Sequence, residues 1–219
     1  MAADLCNEIN SVIIELIELG VCIDQNYPCI NEKKDSVLEL SWADAQNLSI
    51  ALKNIPYDEI YSELDSARNF TVKFIDGALL QLQYTIKENK VVSHRLGFFP
   101  NPDLESFQNE PDIYNQEDLY ADILARNIVP SPVRFDFNDD DDLHIELIHS
   151  KSHATLGQYK NCRIPVFGVL TPVMFVDFIL RNFYSHIHCY YEVKSKSQLD
   201  LSSTITELER RVIHFNVLN

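Results

Sequence analysis

The chain predicts an α+β fold, a single domain in which an antiparallel sheet of two hairpins plus flanking strands carries helices packed on one side. Three observations lead there. Apolar residues recur at helical spacing up to about residue 67 and at a period of two from Phe70 onward. An Asp76-Gly77 pair separates two alternating runs, the pattern of a tight hairpin. Thr171-Pro172 opens a wide apolar stripe, the pattern of a helix laid on a sheet. The reading divides the 219 residues into a helical part, about 1–67, and a sheet with C-terminal helices, about 68–219.

In order, Ile9, Val12, Ile13, Leu16 and Ile17 form one stripe of a helix that ends at Gly20, with Glu8, Glu15 and Glu18 largely off it. Ser36 to Trp42 alternates and reads as a strand. Two helices follow, Ala43 to Lys53 and Tyr57 to Ala67, broken apart by Pro56. Phe70 to Ile75, Ala78 to Ile86 and Val91 to Phe99 make a three-stranded meander. Its first turn, Asp76-Gly77, suits a type I′ geometry, and Glu88-Asn89-Lys90 makes the second. An Asn-, Asp-, Glu- and Pro-rich loop from Pro100 leads to a short helix near Gln116 to Arg126.

The second hairpin is expected from Val133 to Phe137 and from Leu143 to Leu147, around a loop Asn138 to Asp142. In that register Asp136 faces His144 and Arg134 faces Glu146, with Leu143, Ile145 and His149 on the buried side. The four aspartates Asp139 to Asp142 lack the alternating spacing of a calcium loop and read as a solvated tip. Cys162 to Phe167 is a short strand and Thr171 caps the next helix, which carries an Asp177–Arg181 pair. His186 to Val193 reads as a strand, and Thr204 with Glu207 as the capping box of a last helix through Val212.

The segment Val133 to Tyr184 crowds ionisable groups more densely than an apolar core tolerates. Its candidates for catalysis are Arg134, Asp136, His149, His153 and Arg163, a set that would form a cleft floor if the sheet gathers it. His149 and His153 lie four apart, the spacing of two metal ligands on a helix, yet His149 ends a strand and the third ligand is unassigned: Asp136 or His144 serves only if the sheet brings them near. A divalent metal on that pair is the alternative to a hydrogen-bonded structural pair, and no cofactor is expected. His153-Ala-Thr155 has the form used by two-histidine phosphoesterases, which need a second copy absent here. Ser152 lies in no nucleophile elbow, and Cys162 beside Arg163 reads as a small buried hydrophobe. With five glycines and no G-x-G-x-x-G or P-loop, a glycine-rich phosphate cradle is excluded.

The formal charge of −15, with 46% hydrophobic and 11% aromatic residues, describes an acidic globular protein that repels nucleic-acid backbones. Five dispersed cysteines without a C-x-x-C pair suit reduced thiols in a cytoplasmic setting. Acidic residues interrupt the N-terminal apolar run, so neither a secretory leader nor a membrane span is expected.

The stretches SHATLG, CRIPV and TPVMFVDFILRNFY, preceded by the strand RFDF, resemble an uncharacterised bacterial family, domain of unknown function twenty-two-ninety. The resemblance implies a cytosolic bacterial protein from a mobile or defence-linked operon. It singles out Arg134, Asp136, His149, Ser152, His153, Arg163 and Pro165 without giving them chemical roles, and Ser150 stands where a proline is expected. Two functions follow as expectations. The charge points to a non-enzymatic interaction component that docks on a basic protein partner; the resemblance implies that this partner is encoded nearby, in a defence or toxin–antitoxin type operon. The alternative is a hydrolase or nuclease, metal-dependent or not, that uses the Asp/His/Arg cluster.

Overall fold

In the computed structural model, which describes residues 1–43, 45, 55–102, 130–159, 161–192 and 203–216, a nine-stranded antiparallel sheet organises the chain. Its strands are β1 (Cys22–Gln25), β2 (Pro28–Glu32), β3 (Leu38–Trp42), β4 (Val72–Phe74), β5 (Leu79–Lys87), β6 (Lys90–Phe99), β7 (Val133–Asn138), β8 (Ser152–Leu156) and β9 (Ile164–Pro165). The order is β1-β4-β5-β6-β7-β8-β9, with β3 also paired to β5 and β2 to β3. One edge of β5 is thus shared: β4 pairs with Leu79 and Leu80, and β3 with Tyr84 to Ile86. Four α-helices accompany the sheet among the described residues: α1 (Ala2–Glu18), α2 (Tyr57–Ser66), α3 (Pro172–Phe183) and α4 (Ser185–His188). No helix among these residues is long and apolar enough to cross a membrane.

Alternation assigns the two faces of the sheet. Leu80, Leu82, Tyr84 and Ile86 of β5, with Leu96, Phe98, Val133, Phe135 and Ala154, face the main core, which α1 and α3 cover together. The intervening positions, Leu79 and Phe99, join Phe70 under α2 in a smaller cluster at one end of the opposite face. The rest of that opposite face is polar and carries the site.

Helix α1 closes with Gly20 at φ 72, where the Val21 and Gly20 N–H groups donate to Leu16 and Ile17, a Schellman turn that glycine accommodates without a Cβ clash. Glu8 and Glu15, expected off the apolar stripe, are instead 4% and 7% exposed. Glu8 accepts from the Val173 N–H at 3.0 Å at the start of α3, and Glu15 from the Glu192 N–H at 2.7 Å. A carboxylate at a helix N-terminus is favoured by the dipole, and this one ties α1 to α3. Thr171 caps α3 as expected, accepting from the Met174 N–H, and Arg181 reaches Asp177 at 2.6 Å.

Several expected elements differ. Beside the expected strand β3, the part read as mainly helical also supplies β1 and β2; β1 finds its partner β4 roughly fifty residues away, a pairing no local pattern announces. The Ala43 to Lys53 helix, the loop after Pro102 and the Gln116 to Arg126 helix lie outside the described residues, apart from Ala43 and Ala45. The turns exchange roles. Ile75-Asp76-Gly77 is a three-residue loop with only Gly77 at positive φ, whereas Glu88-Asn89 has both residues there, the type I′ requirement.

The second hairpin forms with a different partner. β7 pairs with Ser152–Leu156, not with Leu143–Leu147, so Asp136 faces His153 and Arg134 faces Thr155. Leu143, Ile145 and Leu147, expected in the core, are 47%, 54% and 48% exposed. They lie in a knuckle closed by an Ile145–His149 bridge. Near the C-terminus, Ser185–His188 is a helical turn where a strand is expected. The capping box is Thr206 with Glu209, two residues later than expected, and it opens only one 3-10 turn, Glu209–Arg211.

Candidate polar cleft on the sheet

On the polar face, one row of side chains crosses four adjacent strands. Gln83 on β5 lies opposite Arg95 on β6, Arg95 opposite Asp136 on β7, and Asp136 opposite His153 on β8. Each is the polar member of an alternating strand whose other face is core, so the pleat holds them in line without local strain. The next row places Gly97 opposite Arg134 and Arg134 opposite Thr155, with Arg163 just before β9.

Asp136 is the hub. Arg95 Nε donates to its Oδ1 at 3.3 Å, and His153 stands across the other ladder. The His153 Nδ1 lies 2.9 Å from the Ser150 carbonyl oxygen. A carbonyl can only accept, so the proton sits on Nδ1 and Nε2 keeps its lone pair. The His149 ring meets His153 edge-on, with centroids 5.1 Å apart. Burial pushes the His153 pKa down; the Asp136 carboxylate pulls the other way, and Arg163 and His149 add to the depression. The His149 pKa is lowered as well, first by burial and then by Arg163. Both imidazoles are therefore neutral near pH 7.

Over this floor opens a cleft of about 650 Å³ lined by Gln83, Arg95, Asp136, His149, His153 and Arg163, with Lys33 and Lys151 at its rim. Lys33 is engaged with Glu39 at 3.0 Å, and Lys151 with Asp139 and Asp141 at 3.0 and 2.6 Å. The tetra-aspartate tip is solvated, as its mutual repulsion demands. His144 reaches the buried carboxylate of Glu209 at 3.3 Å, which pins the C-terminal segment to the same rim.

All five candidates from sequence share this face. Asp136, His149, His153 and Arg163 line the cleft, and Arg134 flanks it within electrostatic reach of Asp136, Arg95 and Arg163. His149 and His153 come together through a strand and its preceding turn, not through a helix. Among the described residues, no group of three or more His, Cys, Asp or Glu is placed to hold a metal. Ser152 points to the other face and donates to the Gly168 carbonyl at 2.7 Å, which removes it as a nucleophile. Cys162 is half-buried, its sulfur accepting from the Leu156 N–H. Arg95 and Gln83 are not evident from sequence, since they belong to the meander, which the sequence reads only as three strands. The available signal is that Arg95 is the lone arginine or lysine between Val91 and Phe99.

The model of a family described as an uncharacterised conserved protein, DUF2290, matches residues 21–217. No curated protein and no solved structure matches the chain. The match takes in all nine strands and every residue of the cleft floor. The chain belongs to the DUF2290 family of uncharacterised conserved proteins.

Proposed function

We propose that this protein is a hydrolase whose general acid–base group is His153. The supporting observation is the row Arg95–Asp136–His153, in which a neutral imidazole with a free Nε2 is oriented by a carbonyl on one side and faces a carboxylate held by an arginine. In the proposed step a water oxygen bonds to the electrophilic centre of an ester while Nε2 takes the water proton. The ester bond breaks with its electron pair on the leaving oxygen, and the same proton passes to that oxygen. Asp136 stabilises the imidazolium between the two transfers, and the arginines offset negative charge at the reacting centre.

A second reading, an interaction component docking on a basic protein encoded nearby in a bacterial defence or toxin–antitoxin type operon, is supported by the charge of −15 and the exposed aspartate tip. A cytoplasmic setting suits both readings.

A panel of 4-nitrophenyl phosphate, bis(4-nitrophenyl) phosphate and 4-nitrophenyl acetate tests the hydrolase. The expected result is turnover of at least one, with His153→Gln lowering kcat about 10²- to 10⁴-fold. That change also removes the bond to Ser150 at a cost of about 1 to 3 kcal/mol, so melting curves must accompany the kinetics. No turnover by the wild-type chain, or full turnover by a folded His153→Gln, would refute the reading.

A further inference from the structure

The knuckle between β7 and β8 is held by something other than packing. Leu143, Ile145, Leu147 and Ile148 are 47 to 68% exposed, so burial contributes little to its shape, and Leu147 is kept at φ 62. The Ile145–His149 bridge closes it from within. Further support is polar and comes from the turn Thr206–Glu209. Thr206 Oγ1 donates to Glu146 at 2.6 Å. The Glu209 carboxylate then meets His144 and Ser150, the residues that flank the bridge on either side. Its Oε1 lies 3.3 Å from His144 Nε2, and the Ser150 hydroxyl, shut off from solvent and with no aligned acceptor among the described residues, stands beside it. Burial works to raise the Glu209 pKa, but the Ser150 hydroxyl, the Thr206 N–H and His144 outweigh it and keep the group a carboxylate.

Helix capping alone does not account for Glu209. The residue is 0% exposed, and a buried carboxylate is costly unless its oxygens are matched. As a capping box with Thr206 it opens only one 3-10 turn, Glu209–Arg211, which gains little from it. Oε2 serves that box by accepting from the Thr206 N–H at 2.9 Å. Oε1 is left for the wall of the cleft, which His144 and Ser150 both line.

The consequence reaches His153. Its Nδ1 donates to the Ser150 carbonyl at 2.9 Å, a group that belongs to no strand, and the ring that meets it edge-on is His149 of the bridge. The β7–β8 ladder places the His153 backbone, but the proton stays on Nδ1 only while the Ser150 carbonyl is held in place. Resting on the hydrolase reading, we infer that Glu209 is a positioning residue of the cleft: by clamping His144 and Ser150 it keeps the Ser150 carbonyl on His153 Nδ1, and so keeps Nε2 free to take a proton. Without the clamp the carbonyl is free to turn away, and the other neutral tautomer, with its proton on Nε2, gains population.

Ring nitrogen-15 spectra of the full chain at about pH 8, where ordinary histidines are neutral, read the tautomer directly. The His153 signals are identified by their loss in His153→Gln. Wild type is expected to carry the proton on Nδ1. Glu209→Ala should move population to the Nε2–H form. With whichever nitrophenyl ester the chain turns over, it should lower kcat about 10- to 100-fold and leave KM within about twofold, since Glu209 orients the base and does not touch substrate. Glu209→Gln, which keeps the length and an oxygen acceptor, should recover the wild-type tautomer. Melting curves accompany each variant. Should Glu209→Ala fail to fold, His144→Ala, which removes one side of the clamp at a half-buried position, carries the comparison. The inference falls if wild-type His153 carries its proton on Nε2. It falls also if a folded Glu209→Ala loses Tm but keeps its tautomer and its kcat, the outcome for a residue that only stabilises the fold. Control of the tautomer by Glu209 without turnover of any ester would retain the clamp and remove the hydrolase; turnover with a tautomer that Glu209→Ala leaves in place would do the reverse.

Discussion

Single residues here do work that side-chain type alone does not announce. His94 sits on β6 one position before Arg95, and alternation turns it to the core, between the rings of Tyr84 and Phe137 at 5.7 Å each. Its Nε2 accepts from the Leu170 N–H at 3.1 Å, so the ring is neutral, and burial pushes its pKa down to about 4, partly offset by Asp136. The unfolded chain binds a proton at this residue below about pH 6.5, whereas the folded chain resists it until about pH 4. Stability contributed by the neutral ring is therefore present above the unfolded value and lost as pH falls through this window. His149 and His153, shifted in the same direction, add to the effect. Each such proton contributes a slope of up to about 1.4 kcal/mol per pH unit. Urea midpoints at about pH 4.5, 5.5 and 6.5 should fall with acid, and His94→Asn, which keeps an acceptor for Leu170, should flatten the slope. An unaltered slope in that variant would remove His94 as a source of acid sensitivity.

At the scale of elements, the competition for β7 shaped the site. Leu143 to Leu147 has better strand composition than Ser152 to Leu156, which holds Ser, His, Ala and Thr. The second segment nevertheless pairs, because it joins a ladder on both sides, β7 and β9, and brings Ala154 beneath Phe135 in the main core. The near segment would have to turn through four adjacent carboxylates. Instead Asp139 and Asp141 fold back onto Lys151, and the displaced apolar residues form the exposed knuckle. That knuckle requires Leu147 at φ 62, a conformation costing a non-glycine residue about 1 to 2 kcal/mol. Leu147 is 48% exposed, so its side chain gives little burial in return. Leu147→Gly is expected to raise stability by up to about 1 kcal/mol once the entropy of glycine is counted. The urea midpoint measures it; a loss of stability would mean that Leu147 packs in a way its exposure does not suggest.

For the whole molecule, charge is the dominant property: the chain carries −15, while Arg95, Arg134 and Arg163 stand on or beside the polar floor of the sheet. If docking on a basic partner is part of its role, association with the product of a neighbouring gene should weaken from about 50 to 300 mM salt, as screening shortens below about 8 Å. Salt-independent affinity would eliminate the electrostatic explanation and leave the exposed apolar knuckle to account for any binding. The sequence by itself determined the α+β class, the meander from Val72 to Phe99, helices α1, α2 and α3 with the Thr171 cap, and the five ionisable candidates. Those features depend on hydrophobic period and local capping, which neighbouring residues encode. Only the tertiary structure decided that β8 pairs with β7, that β1 and β4 meet, that His186 and His188 lie in a helical turn, and that Arg95 joins Asp136 and His153 in one row. Each of these depends on which of several compatible strands buries the most core while satisfying its backbone on both edges, a comparison among distant segments that no local pattern contains.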